Sequence, residues 1–196
     1  MRRIPWWALA SAGAAPVLLI GGWTLAQARQ PPGYNSVRDT ISALAARGAT
    51  DRWVMTSALA GLGACHVVTA MGCRPARLRG RVVLGGGGVA TVLVAAFPQP
   101  AHGNSVAHTV AATAAFIALS TWPALASRGA TSRAPLLASL PSVLVSGILL
   151  GLVVWFAAEL HGGQRGLAER AAAGAQSLWP LAVVMTTRRA LSRTFV

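Results

Sequence analysis

Residues 136–158, LLASLPSVLVSGILLGLVVWFAA, carry no charged side chain. As an α-helix the stretch reaches about 35 Å at 1.5 Å per residue, enough to cross a hydrocarbon core of about 30 Å. Arg128 and Arg133 stand before it, and Glu159, His161 and Arg165 follow it. The rest of the chain reads the same way: of 196 residues, 54% are hydrophobic and only 11% charged. A soluble domain carries about 25% charged residues to wet its surface. The net charge of +13 invites a nucleic-acid reading, but a phosphate-binding patch needs a dissolved body to display it. Nucleic acid is therefore excluded as a partner, and the lipid bilayer is the expected one. The fold class is all-α: a polytopic membrane protein read as a single integral membrane domain over 1–196.

Five further segments reach the length of a span, at about 5–26, 53–72, 82–97, 106–125 and 167–187. Together with 136–158 they predict a six-helix transmembrane bundle. All 17 basic residues are arginines, and eleven of them fall on the termini and on the connections that share their side. All four acids, Asp39, Asp51, Glu159 and Glu169, fall on the opposite side with the other six arginines. The positive-inside rule then places both termini in the cytoplasm, with the protein in the plasma membrane. Met1-Arg2-Arg3, an apolar run and Ala26-Gln27-Ala28 also match a signal peptide with its cleavage site. The apolar run exceeds the usual 7–15 residues or so of such a segment, so an uncleaved anchor is expected; cleavage would leave five spans in the same orientation.

The longest connection is structured. Pro31-Pro32-Gly33 ends the first span, and Tyr34-Asn35-Ser36 can cap a new helix. Val37, Ile41 and Leu44 recur at helical spacing among polar neighbours, which predicts a short amphipathic helix over about 36–47 in the outer interface. Within the bundle, close approach is expected through Gly61, Gly63, Ala64, the run Gly85–Gly88, Ser142, Ser146 and Gly147. That glycine run lacks the following Lys-Ser/Thr of a phosphate loop. Pro141 is expected to kink its span, with Ser139 and Ser142 beside it. Cys65 and Cys73 lie about 12 Å apart along a helix, too far for a disulfide.

Ionisable groups inside a membrane mark functional sites by default. His66 sits deep in the second span, where an interhelical hydrogen bond is its expected role. The outer side is richer: Asp39 and Ser42 on the amphipathic helix, His102 and Ser105 in the loop after Phe97-Pro98, His108 one turn beyond Ser105, and Glu169 with Arg170 opening the last span. Gln176 shares a face with Glu169, two turns deeper.

Three of these stretches resemble a known family, the bacterial multi-pass membrane proteins called domain of unknown function 998. They are Val37-Arg38-Asp39-Thr40-Ile41-Ser42-Ala43-Leu44, then Phe97-Pro98 followed by Gly103 and His108, then Gly166-Leu167-Ala168-Glu169-Arg170 leading to Trp179. The resemblance runs from about Tyr34 to Val184 and implies a six-helix bundle. It carries no established activity and so implies no catalytic role. It does imply that Asp39, Ser42, Pro98, His108, Glu169 and Arg170 form one pattern at one membrane face.

Two uses of that face are expected. In the first, the protein is not catalytic: Asp39, His108, Glu169 and Arg170 form an ion-pair and hydrogen-bond cluster that ties the amphipathic helix to the bundle and lines a pocket for a lipid or amphiphile. In the second, the protein is a hydrolase-like enzyme acting on a lipidic substrate. Either His108 and His102 with Asp39 or Glu169 hold Zn²⁺, or Ser105 or Ser42 is a nucleophile with His108 as base. Neither His-Glu-x-x-His nor Gly-x-Ser-x-Gly occurs in the chain, and no resident cofactor or metal is expected. A transporter would want more polar groups at midplane, and a haem would want a second histidine level with His66. A membrane-protein partner is compatible with the sequence.

Overall fold

The computed structural model describes residues 4–130, 132 and 134–192. Among them the chain forms seven α-helices and no strand: α1 (Trp6–Gln27), α2 (Ile41–Leu44), α3 (Trp53–Gly72), α4 (Leu78–Ala96), α5 (Val106–Ala126), α6 (Ser139–Ala158) and α7 (Arg165–Ser192). Single 3₁₀ turns precede and follow α6 at Pro135–Leu137 and Glu159–His161. Five of the helices are long and apolar enough to cross a membrane: α1, α3, α4, α5, and α6 with the turn after it. The sixth expected span corresponds to α7, whose 28 residues are ample in length but include Arg165, Glu169, Arg170 and Arg188.

Packing follows chain order. α1 lies against α3, α3 against α4, α4 against α5, α5 against α6 and α6 against α7, and α7 returns to α1 to close a ring. One end of the ring carries α2. There the Arg47 N–H donates to the Gln99 carbonyl at 2.8 Å. The other end carries the start of α1 and the end of α7, where Arg188 reaches the Ile4 carbonyl at 3.3 Å and the Arg77 N–H bonds the Ala126 carbonyl at 3.1 Å. Arg2, Arg3, Arg133 and Arg193, used above to orient the chain, lie outside the described residues.

Small residues set a close crossing of α3 and α4. A Cβ on Gly63 of α3 would stand 2.5 Å from the Gly88 carbonyl oxygen of α4, and one on Gly88 would stand 2.6 Å from that of Gly63. Backbones therefore touch, as van der Waals packing in lipid favours. The glycine run contributes unevenly: Gly87 meets Leu119 of α5, whereas Gly86 has nothing within 4 Å. Gly147 of α6, expected to pack, also has nothing within 4 Å.

Four further expectations need correction. α4 begins at Leu78 rather than 82, and Arg81 lies in its first turn with its guanidinium turned back to cap α3, donating to the Ala70 and Met71 carbonyls at 2.8 and 2.9 Å. The outer helix is one turn, Ile41–Leu44, not 36–47. Thr40 stands in an extended conformation and its hydroxyl accepts the Ala43 N–H at 3.0 Å, so the helix starts there, while Asn35 closes a separate turn through Val37 and Arg38. Pro141 lies in the first turn of α6, where its missing N–H is no loss. The interior prolines are Pro16, Pro123 and Pro180, and beside Pro123 the Ala124 N–H crosses to the Ser146 hydroxyl of α6 at 3.0 Å. Finally, His66 is buried, yet neither ring nitrogen has a hydrogen-bond partner among the described residues.

Candidate functional site

The loop from Tyr34 to Thr40 is moulded onto the start of α7. The N–H groups of Gly166 and Leu167, free because they open a helix, donate to the Val37 carbonyl at 2.9 and 3.0 Å. No other residue fits at Gly166: a Cβ there would collide with the Asp39 carbonyl and stand 2.7 Å from that of Ser36. One turn on, Arg170 spreads its donors over the same loop. One guanidinium nitrogen reaches the carbonyls of Ser36 (2.9 Å) and Asp39 (2.8 Å) and that of Gly166 (3.0 Å), and the other donates to the Tyr34 hydroxyl at 2.6 Å. Burial holds the Tyr34 phenol above its ordinary pKa, and the neighbouring guanidinium only partly offsets that.

Glu169 follows from this docking. It is buried, 4% exposed, and directed at the start of α2, where the Ile41 N–H and the Ser42 hydroxyl (2.9 Å) both donate to its carboxylate. A carboxylate on the free N–H of a helix start is favourable by dipole and hydrogen bond alike. From α5, His108 completes the group: its Nε2 faces the Ser42 oxygen at 3.3 Å, and its Nδ1 lies 2.9 Å from the Phe97 carbonyl. A carbonyl only accepts, so Nδ1 carries the proton and Nε2 of the neutral ring is an acceptor.

The structure therefore brings together Ser42, His108 and Glu169 from three separate helices, with Arg170 adjacent. It does not bring in Asp39, whose carboxylate accepts the Asn35 N–H at 2.7 Å within its own loop. The expected ion-pair cluster is replaced by a hydrogen-bond cluster, and the ion pair found among the described residues is Arg29–Asp51, at 3.5 Å. Ser105 is no nucleophile beside the imidazole: its hydroxyl accepts the backbone N–H of His108 as the cap of α5. The zinc arrangement has no ligand set, since no three His, Cys, Asp or Glu side chains converge among the described residues. Gln176 ties α7 to α5, donating to the Phe116 carbonyl at 3.0 Å and the Ser120 hydroxyl at 2.8 Å.

Two cavities open from the cluster. A groove of about 300 Å³ has Thr40, Ser42, Gln99, His108 and Glu169 at one end and Phe116, Ile117, Val153, Phe156 and Leu160 along its walls. The Phe116 and Phe156 rings face one another across α5 and α6, with centroids 5.5 Å apart. A smaller, deeper cavity of about 60 Å³ runs from Ser42 and Glu169 past Gln176 to His66. Sequence reading missed the groove wall, because Phe116, Val153 and Phe156 look like any lipid-facing residues. Tyr34 was visible as the single tyrosine of the chain, but nothing local tied it to Arg170.

A set of apolar helices long enough to span, with a polar group gathered at one end, defines a multi-pass membrane protein. Residues 12–186 match the family described as protein of unknown function (DUF998), and the chain belongs to that family. No curated protein and no solved structure matches it.

Proposed function

We propose that this protein spans the bacterial plasma membrane six times, with both termini cytoplasmic, and holds a lipid or other amphiphile at its extracytoplasmic face without transforming it. For α7 as the sixth span, the support is that its charges sit near its two ends, Arg165, Glu169 and Arg170 at one and Arg188 and Arg189 at the other. For the orientation, it is the crowd of arginines at the end carrying the start of α1 and the end of α7 against four acids at the α2 end. A reporter fused between α3 and α4 tests this; activity of an exported reporter there overturns it.

The observation that carries the binding reading is the continuity of polar head and apolar walls in one groove. Ligand sites are mostly apolar concavities with a few placed polar groups, and a headgroup beside Ser42, His108 and Glu169 would leave its chain against Phe116, Val153 and Phe156. Native mass spectrometry of the protein released from detergent is expected to show a bound amphiphile. Ala157→Trp, an exposed groove position, is expected to remove the adduct. An adduct that survives the filled groove overturns the reading.

One distance favours a second reading, ester hydrolysis. The Ser42 oxygen lies 3.3 Å from His108 Nε2, and Phe97 orients that ring, the nucleophile–base–orienter pattern of acyl transfer. Ser42 would add to the ester carbonyl, its proton passing to Nε2 and then to the departing alkoxide; water would free the acyl group. Against this, the Ser42 hydroxyl already donates to Glu169. A fluorophosphonate probe that labels the wild type but not Ser42→Ala would establish hydrolysis, and an unlabelled wild type removes it.

A further inference from the structure

Counting protons in the Ser42–His108–Glu169 group shows what it lacks. Nδ1 of His108 is committed to the Phe97 carbonyl, so Nε2 offers only a lone pair. The Ser42 hydroxyl owns a single proton, and the shorter of its two contacts, 2.9 Å against 3.3 Å, takes that proton to the Glu169 carboxylate. Carboxylate oxygens only accept. With Glu169 ionised, three oxygen and nitrogen atoms in a row share one proton over two contacts, leaving one acceptor facing another. His108 and Ser42 both line the 300 Å³ groove, so the unmet acceptor stands at its polar end. An acceptor left unmet in a water-poor site is costly.

Resting on the amphiphile-binding reading, we infer that the groove selects an amphiphile whose headgroup is an uncharged hydroxyl, which donates to His108 Nε2. The charges around the head point the same way. Arg170 commits its two terminal nitrogens to the Ser36, Asp39 and Gly166 carbonyls and to Tyr34, its Nε–H is buried without a partner, and no arginine lines the groove, so none of the residues lining it offers a cation to a phosphate or carboxylate. Either anion would also face Glu169. An ammonium would bring three donors and a full charge to a place with one waiting acceptor and mainly apolar walls. A hydroxyl brings one donor, and its oxygen can accept in turn from the Thr40 hydroxyl or the Gln99 amide at the same end of the groove.

The test uses the purified full chain in lipid nanodiscs at about pH 8, where a carboxylic acid is ionised and an alkylamine protonated. Dodecanol, dodecanoate and dodecylammonium share one tail, and each is titrated by tryptophan fluorescence, with concentrations expressed as mole fraction in the bilayer. Dodecanol is expected to bind about tenfold more tightly than either ion, the value of one well-made hydrogen bond. His108→Phe is expected to erase the difference, and His108→Gln, which again presents an acceptor, to restore part of it. Equal or tighter binding of either ion by the wild type overturns the hydroxyl inference and leaves the groove standing. If no ligand saturates, or if Ala157→Trp leaves all three unchanged, the amphiphile reading itself falls.

Discussion

The crossing of α3 and α4 and the seam beside α6 are two regions built on opposite principles. At the first, Gly63 and Gly88 bring backbones into contact. At the second, α6 buries Ser142, Ser146 and Leu149 and turns Leu140, Val143, Leu144, Ile148 and Val154 outward. Hydroxyls hold it, Ser146 accepting the Ala124 N–H and Ser142 donating to the Leu136 carbonyl. The most apolar span is thus the least buried. In water that would be perverse; in lipid, apolarity marks the solvent side and small residues mark the core.

Substitutions sharpen that contrast. Gly63→Val is expected to have the largest effect, about 3 kcal/mol or loss of folded protein, because its side chain must displace the α4 backbone; thermal unfolding in mild detergent reads it. A small loss there would mean that the crossing can relax and is not the rigid half. Next comes Glu169→Ala, at about 2 kcal/mol, which leaves the Ile41 N–H and Ser42 without their acceptor. It is expected to make the 34–44 segment the first site of protease cleavage. His108→Ala follows at about 1 kcal/mol, because only two contacts go with it. Smallest of all is Gly147→Ala, within about 0.5 kcal/mol, since nothing stands within 4 Å of a Cβ at that position. A large loss at Gly147 would break the comparison by showing that α6 is packed against something in the folded protein.

Much of this was legible in the sequence, and the reason is physical. Runs such as 136–158 declare themselves because the bilayer demands about 20 apolar residues per crossing, and the ends of α3, α5 and α6 fall close to where the charges and prolines put them. The errors cluster where a polar group is satisfied by a distant partner. Arg81 lies in the first turn of α4 and caps α3, Thr40 shortens α2 by capping it, and Ser105 serves a backbone N–H instead of an imidazole. In the site, residue types at one face predicted a cluster of Asp39, His108, Glu169 and Arg170 and, separately, Ser42 or Ser105 beside His108. They could not tell that Asp39 would turn to Asn35, since either partner satisfies a carboxylate equally well. The groove was illegible because walls facing a ligand and walls facing lipid have the same composition.

Arg170 grips carbonyl oxygens and a phenol, not a carboxylate. Mobile ions weaken attraction between exposed opposite charges over about 10 Å at 0.1 M, but they compete poorly for neutral oxygens fixed by a backbone. The clasp on the 34–40 loop is therefore expected to hold alike in dilute buffer and in brine, whereas the surface pair Arg29–Asp51 loosens. Wherever ionic strength varies, that is a durable way to fasten a strand of chain.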